Sequence, residues 1–581
     1  MGLMKISKIA QQPPPSPLPV DTIVVTSDGK YAIYISGEKK YESDKLSKII
    51  KEIRKYDVNL QIPRKNVTII NKVLRTSNNL DNISFKTFHV TDIDFRKVGK
   101  IIYFDDFSSN FLNANVYTRY DTLSPSTVTF QNGVIRFSAG SGYYETIFAV
   151  GRFPPVFIAE LKVTSMSVTT AASAIVSLIK DTNNYVSILY ARNVSQGFAR
   201  FEIYVKKDGT GTLAWTYNID IQPPFSIIVL FVLGTIHILY EKDYRISYVG
   251  KYAVADFDFR APGIYDDFRI GFGAHTNNST VEIDKFAVYI SALGVRDPYP
   301  VTLTDGVTPV LEKGKYLISA TAAANDAKDS YMLLFTYDPV LNEFKVRSLI
   351  LNIINGKYYT DHAGQILYDI DNDEFIVFNS SWSSTGYGVY NVVFIHFFKV
   401  KSLTDIIQGE ATRIITTEEA FDPAVLYDES AGKWYIFFQY GAPGSRSLAI
   451  MSNTTLSATG WTIEYRRAQT TTIAEGTHYA TVGGLLYATW GDTARYPDMM
   501  RYSRFKVPLD DYAIQCIPPI STAGANPPHP LIIPIFDCGT TRYRLITFTQ
   551  STAPAGTMGT MYIYESDSIN IGYETPVVML L

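Results

Sequence analysis

Residues 421–441, FDPAVLYDESAGKWYIFFQYG, open on an acid-Pro pair, run through a strand-like 424–427, turn over 428–432 and return as the aromatic-rich 433–439. Two β-prone runs around a cluster of turn formers describe a hairpin. Weaker copies of the same phrase stand at 313–338, 360–382, 475–492 and 527–551. Their anchors, Lys315, Asp361, Asp422, Glu475 and His529, recur at intervals of 46 to 61 residues, with further strand-like sequence such as FKVRSLIL, RIITTE and WTIEYRR between them. A hairpin phrase repeated at tens of residues marks a repeat architecture, and a four-stranded propeller blade takes roughly 40–50 residues. The expectation for residues 300–581 is a five-bladed β-propeller.

The rest of the chain is also read as mainly β. At 581 residues it exceeds what one core can organise, and 46% hydrophobic against 19% charged residues, with 41 Tyr and 33 Phe, suits folded β structure rather than disorder. A net charge of −3 offers no general attraction to nucleic acid or an acidic membrane, so neither is expected as a partner. Two cysteines, Cys516 and Cys538, are too few for a disulfide scaffold. The most apolar run, 225–240 (FSIIVLFVLGTIHILY), holds His237 and is short for a membrane span, and it reads as two buried strands meeting near Gly234. The N-terminus lacks the apolar stretch of a secretory signal. Seven Asn-x-Ser/Thr triplets, including Asn379 and Asn453, suit an outward-facing, extracellular protein.

In chain order, 1–19 reads as a proline-rich tail and 20–100 as a small α/β anchoring unit. Within that unit, 21–37 forms a hairpin turning at Asp28-Gly29, and 43–56 carries an amphipathic helical period through Leu46, Ile49, Ile50 and Ile53. From 101 to 294 short strands alternate with turn signals, the pattern of a β-sandwich. Asp105-Asp106-Phe107, then 132–137 (NGVIRF), 270–273 (IGFG) and 283–286 (IDKF), resemble the concanavalin-like lectin/glucanase sandwiches, including the laminin-G type. That resemblance implies a lectin-like jelly roll. It does not extend to glucanase carboxylates, since the adjacent Asp266 and Asp267 would point to opposite faces of a strand. Tyr143, Tyr144 and Trp215 are candidate platforms for sugar rings.

In a propeller the innermost strands converge on the axis, so the residues that begin each copy line one opening. Four neighbouring copies begin Asp361-His362, Asp422, Glu475 and His529. The D-P context of Asp422 and the E-G context of Glu475 on successive copies resemble the five-bladed propeller glycosidases, glycoside hydrolase family 43 above all. The resemblance implies Asp361 as base, Asp422 as the carboxylate that orients and tunes, and Glu475 as acid, in an inverting reaction that needs two carboxyl groups roughly 6.5–9.5 Å apart. It also implies His529 beside an axial cation such as Ca²⁺. His362, His478, Trp382 and Trp490, in the same copies, are candidate substrate-binding residues. Each assignment competes with a structural role, because Asp and Glu at strand starts also bond nearby amides.

Three functions remain open. The first is a carbohydrate-binding attachment protein, similar in layout to viral spike and tail-fibre adhesins. Such a protein is expected to bind glycans or a glycosylated host surface, to be homo-oligomeric, and to join a virion or surface assembly through its N-terminal region. The second is a glycoside hydrolase acting through the propeller carboxylates. The third is a non-catalytic, protein-binding propeller.

Overall fold

In the computed structural model the described residues are the strands at 6–8, 22–25, 31–35, 38–43, 60–64, 67–71 and 84–92, then 94–581 except 110, 325, 415, 417–418, 442–446, 468–473, 483–484, 493–498, 506–511, 518–528, 538–539, 550–559, 567–576 and 581. Among the described residues strands dominate, and the helices are single turns. Among the described residues no helix is long and apolar enough to cross a membrane.

Near the N-terminus, Ile6–Lys8, Thr22–Val25, Tyr31–Ile35 and Glu38–Ser43 form a four-stranded sheet in that order, with the expected hairpin between Thr22–Val25 and Tyr31–Ile35. The helix expected over 43–56 lies outside the described residues, apart from Ser43 at the end of a strand. Later strands of the 20–100 range pair with the C-terminal half. Val67–Asn71 lies between Leu60–Arg64 and Val577–Leu580, and Ser84–Asp92 pairs with Thr560–Ser566.

Residues 100–290 form a two-layered β-sandwich threaded by two long strands, Val156–Asp181 and Arg269–Ile290. Their early and late halves pair with different neighbours: Val156–Asp181 meets Phe225–Val232 through its first half and Asn184–Asn193 through its second. The layer change coincides with register shifts at 163–165 and 168–171, where the ladder kinks. Alternation sends Phe137, Phe148, Phe272 and Phe286 inward, where their rings meet at 4.9 to 6.1 Å. A Cβ on Gly271 would come within 2.5 Å of the Phe148 carbonyl oxygen, and one on Gly273 would strike that of Thr146, so the IGFG phrase serves close strand approach. The run 225–240 is the pair of buried strands expected, Phe225–Val232 and Thr235–Lys242, turning at Leu233 (φ 47°) and Gly234 (φ 96°). Asp266 and Asp267 close a short helix, Ile264–Asp267, rather than lying in a strand, and meet Arg152 and Lys180 at the surface.

The second half is a propeller-like ring of four-stranded antiparallel blades. The first blade is Val295–Pro300, Lys315–Ala322, Tyr331–Asp338 and Glu343–Ile354. The second is built on Ile366–Asp369, Glu374–Ser380, Ile395–Val400 and Thr412–Arg413, the third on Ala420–Asp428, Lys433–Tyr440, Ser447–Asn453 and Thr462–Arg466, and the fourth on Ala474–Val482, Leu485–Asp492, Met500–Arg504 and Tyr512–Ala513. A further sheet joins Leu531–Asp537, Thr540–Thr549 and Thr560–Ser566 to Ser84–Asp92. The 421–441 hairpin is thus the inner half of the third blade. The copy at 313–338 is offset by one strand: it supplies the second and third strands of the first blade, whose inner strand is Val295–Pro300, VRDPYP.

Buried hydroxyls tie one blade to the next. The Ser319 hydroxyl donates to the Gly364 carbonyl (2.9 Å), the Asp422 N–H donates to Ser380 Oγ (2.8 Å), and Thr477 Oγ1 donates to the Phe437 and Asp422 carbonyls. Each satisfies a backbone group that the change from blade to blade would leave unpaired. The sandwich rests on the first two blades. His237 Nε2 lies 3.2 Å and Lys251 Nζ 3.1 Å from the buried Asp329 carboxylate, Lys357 bonds Asp258 at 2.6 Å, and the Arg260 guanidinium lies 4.5 Å from the centre of the Tyr387 ring.

Candidate functional site

The inner strands of the first, third and fourth blades share one local defect. Their ladders slip between Arg296 and Tyr299, between Phe421 and Ala424, and between Glu475 and His478. Within each slip one residue takes a positive φ: Asp297 (50°), Asp422 (53°) and Gly476 (70°), with Ala363 (56°) at the matching place in the second blade. Such bulges re-aim side chains, and a non-glycine residue held at positive φ costs roughly 1–3 kcal/mol, a strain that gathers at functional sites. Asp297-Pro298 and Asp422-Pro423 therefore occupy the same structural position.

These bulges bring acids from three blades around one imidazole. His529 presents Nδ1 at 3.3 Å to Asp297 Oδ1 and Nε2 at 3.9 Å to Glu475 Oε1. Asp297, Asp422 and Glu475 are 5–6% exposed and His529 is 2% exposed. Burial alone would lower the His529 pKa, but the carboxylates of Asp297, Glu475 and Asp422 outweigh it and hold the ring above its ordinary value. Burial keeps His478 neutral by pushing its pKa well down, and the neighbouring His529 charge acts in the same direction. The Tyr299 ring lies 4.4 Å from that of His478, and its hydroxyl is pushed well above its usual pKa by burial and then by the Asp422 and Asp297 charges. His362 is pushed down to about 4 by burial and then by Arg296, whose guanidinium also lies 3.3 Å from Asp297. Gly476 is required where it stands, since a Cβ there would run into the His529 ring.

Of the residues expected from sequence, the structure brings together Asp422, Glu475, His529 and His478, with His362 in the field of Arg296 and Asp297. It does not bring Asp361. That carboxylate is fully buried in a closed network: Oδ1 accepts from the Ser384 N–H (2.8 Å) and hydroxyl (3.1 Å), and Oδ2 from Asn352 Nδ2 (3.1 Å) and His396 Nδ1 (3.2 Å). A carboxylate offers about four lone-pair sites, and four donors fill them, leaving none to activate a water. The second blade carries Ala363 at the matching positive-φ position, two residues beyond Asp361, so it has no acid at the position of Asp297 and Asp422. Trp490 is fully buried, edge-on to Phe437 at 6.2 Å, and belongs to the core between blades. Trp382 is half-buried, with its ring 5.1 Å from that of Phe421 beside Asp422. Asn379 is also fully buried, bonded to Asn352, which leaves that triplet closed to glycosylation in the folded chain.

The residue missed from sequence is Asp297, together with its neighbours Arg296 and Tyr299. The signal was present: Asp297-Pro298 repeats the acid-Pro phrase of Asp422-Pro423. As for the expected axial cation, among the described residues no group of three or more metal-ligating side chains is arranged to hold one. The residues do not fit Ca²⁺ at His529. Both of its nitrogens face carboxylates and are taken up by them, whereas Ca²⁺ takes six to eight oxygen ligands.

The chain matches no described protein family and no curated protein. Among solved structures it is similar in part to a thermostable family-43 glycoside hydrolase, at 15% identity over 49% of this chain and 92% of that one (TM-score 0.33). It is also similar in part to the family-66 carbohydrate-binding module of Bacillus subtilis, at 12% over 30% and 97% (TM-score 0.22), and to a legume lectin-like domain from Entamoeba histolytica, at 10% over 30% and 90% (TM-score 0.23). At these scores the likenesses carry no part of the functional argument, which rests on the side chains described above.

Proposed function

We propose that the protein is a carbohydrate-active hydrolase whose propeller cleaves a glycosidic bond with inversion, with Asp297 as general base, Glu475 as general acid and Asp422 as the third, orienting carboxylate. The observation that carries this reading is the convergence of these three acids, from three blades, on His529. Asp297 and Glu475 lie on opposite ring nitrogens, so their separation is at most an imidazole width plus contacts of 3.3 and 3.9 Å. That admits the roughly 6.5–9.5 Å that an attacking water requires. The imidazole between them, its pKa raised by the same carboxylates, holds both in place. The neutral His478 and His362 offer hydrogen bonds to sugar hydroxyls without adding charge.

In this reading the sheet Leu531–Asp537, Thr540–Thr549 and Thr560–Ser566 is a fifth blade that brings His529 to the axis. Support comes from both sides. Thr489 Oγ1 on the fourth blade donates to the Pro530 carbonyl at 3.0 Å, and Arg544 donates to the Pro339 carbonyl (2.6 Å) and Asn342 Oδ1 (2.8 Å) on the first. The test is a panel of p-nitrophenyl glycosides and polysaccharides assayed for release of reducing ends. Cleavage that Glu475→Gln abolishes supports the reading, and cleavage that survives it refutes it.

A second reading, glycan binding on a lectin-like jelly-roll sandwich, is favoured by Tyr143. This residue is 65% exposed and stacks at 5.6 Å and 11° on His275, whose pKa burial lowers. Attachment of a homo-oligomer to a glycosylated surface belongs to this reading. Retention of the chain on a glycan array that Tyr143→Ala abolishes, together with an oligomeric mass in solution, supports it; a mass equal to one chain counts against the attachment role.

A further inference from the structure

Asp361 is saturated with donors, and those donors show what it holds. Two of them, the N–H and hydroxyl of Ser384, belong to the short helix Trp382–Gly386, and the neighbouring Thr360 hydroxyl donates to Ser383 Oγ at 3.1 Å. The start of the second blade's inner strand is thereby bolted to that helix, while Asn352 and His396 anchor the far side of the carboxylate. The helix opens with Trp382, whose ring meets Phe421 at 5.1 Å and 61°. Phe421 precedes Asp422 at the bulge, and Ser380, two residues before Trp382, accepts the Asp422 N–H. Just beyond the helix, the Tyr387 ring lies 4.5 Å from the Arg260 guanidinium of the sandwich and 4.0 Å from Lys328 Nζ of the first blade.

We propose that Asp361 is a positioning residue for the candidate glycosidase site. It fixes Trp382 beside Asp422 as a wall on which the C–H face of a sugar ring stacks. The inference rests on the glycosidase reading and assigns Asp361 no part in proton transfer. The position calls for a group that only accepts: Ser384 presents N–H and O–H, and Asn352 and His396 present N–H from the other side. An amide in place of the carboxylate turns one of its two acceptor oxygens into a donor facing donors. The helix is then released without loss of bulk.

The experiment uses the full chain with Asp361→Asn, Trp382→Phe and the double variant, each assayed with the p-nitrophenyl glycoside that the panel identifies. The contribution of Trp382 to fluorescence is taken as wild type minus Trp382→Phe. Asp361→Asn is expected to shift that contribution to the red and to raise KM roughly three- to tenfold, the range of one aromatic stacking contact. The pH profile of kcat stays in place, and the double variant is no worse than Trp382→Phe alone. Loss of the acid limb of the profile, or a thousandfold fall in kcat at unchanged KM, overturns the proposal by making Asp361 the base. An unchanged Trp382 signal overturns it as well. Should Asp361→Asn not fold, Trp382→Phe must still raise KM, and an unaltered KM refutes the wall. Survival of cleavage in Glu475→Gln defeats the glycosidase reading itself, which the fluorescence arm does not depend on.

Discussion

Replacing Asp329 by Asn tests the joint that seats the sandwich on the ring. The Asp329 carboxylate is 1% exposed, with His237 Nε2 at 3.2 Å and Lys251 Nζ at 3.1 Å. Burial alone would raise its pKa, but His237 and then Lys251 outweigh burial and bring it from 3.8 to about 2. A group whose folded pKa is depressed stabilises the fold at pH above its unfolded value, and that contribution is lost as pH falls through the folded value. A shift of nearly two units is worth about 2 kcal/mol, present above pH 4 and reduced to about a third of that by pH 2.5. For a cooperative unit of roughly 150–250 residues, the scale of the sandwich, Asp329→Asn should lower the melting midpoint at pH 7 by roughly 4–8 °C. The assay is thermal unfolding of both proteins by circular dichroism from pH 7 down to pH 2.5. The two midpoints should converge as the pH drops. A difference below 1 °C at pH 7, or one that stays constant to pH 2.5, refutes the reasoning.

The carboxylates around His529 raise its pKa, so its stabilising contribution is fully present below its unfolded value of about 6.5 and is lost as pH rises through the higher folded value. His529→Gln should therefore cost stability at pH 6 and progressively less toward pH 9, read as melting midpoints across that range. Gly476→Ala places a methyl against the His529 ring at a residue with φ of 70°, and activity should fall at least tenfold with a lower melting midpoint, whereas Gly460→Ala, also at positive φ but far from the axis, should change only the midpoint. Arg544→Met removes buried bonds to Pro339, Asn342 and Glu565 and should destabilise the C-terminal sheet by about 3 kcal/mol, seen as early hydrogen exchange across Thr540–Thr549.

The hairpin repeat was readable because its strands alternate and its turns carry Asp, Gly and Asn, a signal that survives without knowledge of packing. The sandwich strands and the buried pair around Gly234 were readable for the same reason. The start of the first blade was not, because VRDPYP is short and rich in proline, and fourteen residues (301–314) separate it from its partner Lys315–Ala322. The repeat phrase therefore starts one strand late in the first blade and does not include Asp297. Asp361 lies apart from the axial acids for a finer reason. A bulge decides which residue faces the axis, and its register depends on backbone pairing that the spacing of acids does not reveal, so a carboxylate two residues early points into a neighbouring network instead. Trp490 shows the same limit for aromatics, since a platform and a core filler share one composition and differ only in what packs against them.

The central claim, that Asp297, Asp422 and Glu475 form one hydrolytic site while Asp361 stands outside it, is tested most directly by comparing kcat for Asp297→Asn and Asp361→Asn on the same glycoside. Removal of a general base costs about 10²–10⁴-fold. The structure predicts a loss of that order for Asp297→Asn, with kcat for Asp361→Asn within a few-fold of the parent. The reverse ranking, or equal activity in both, contradicts it.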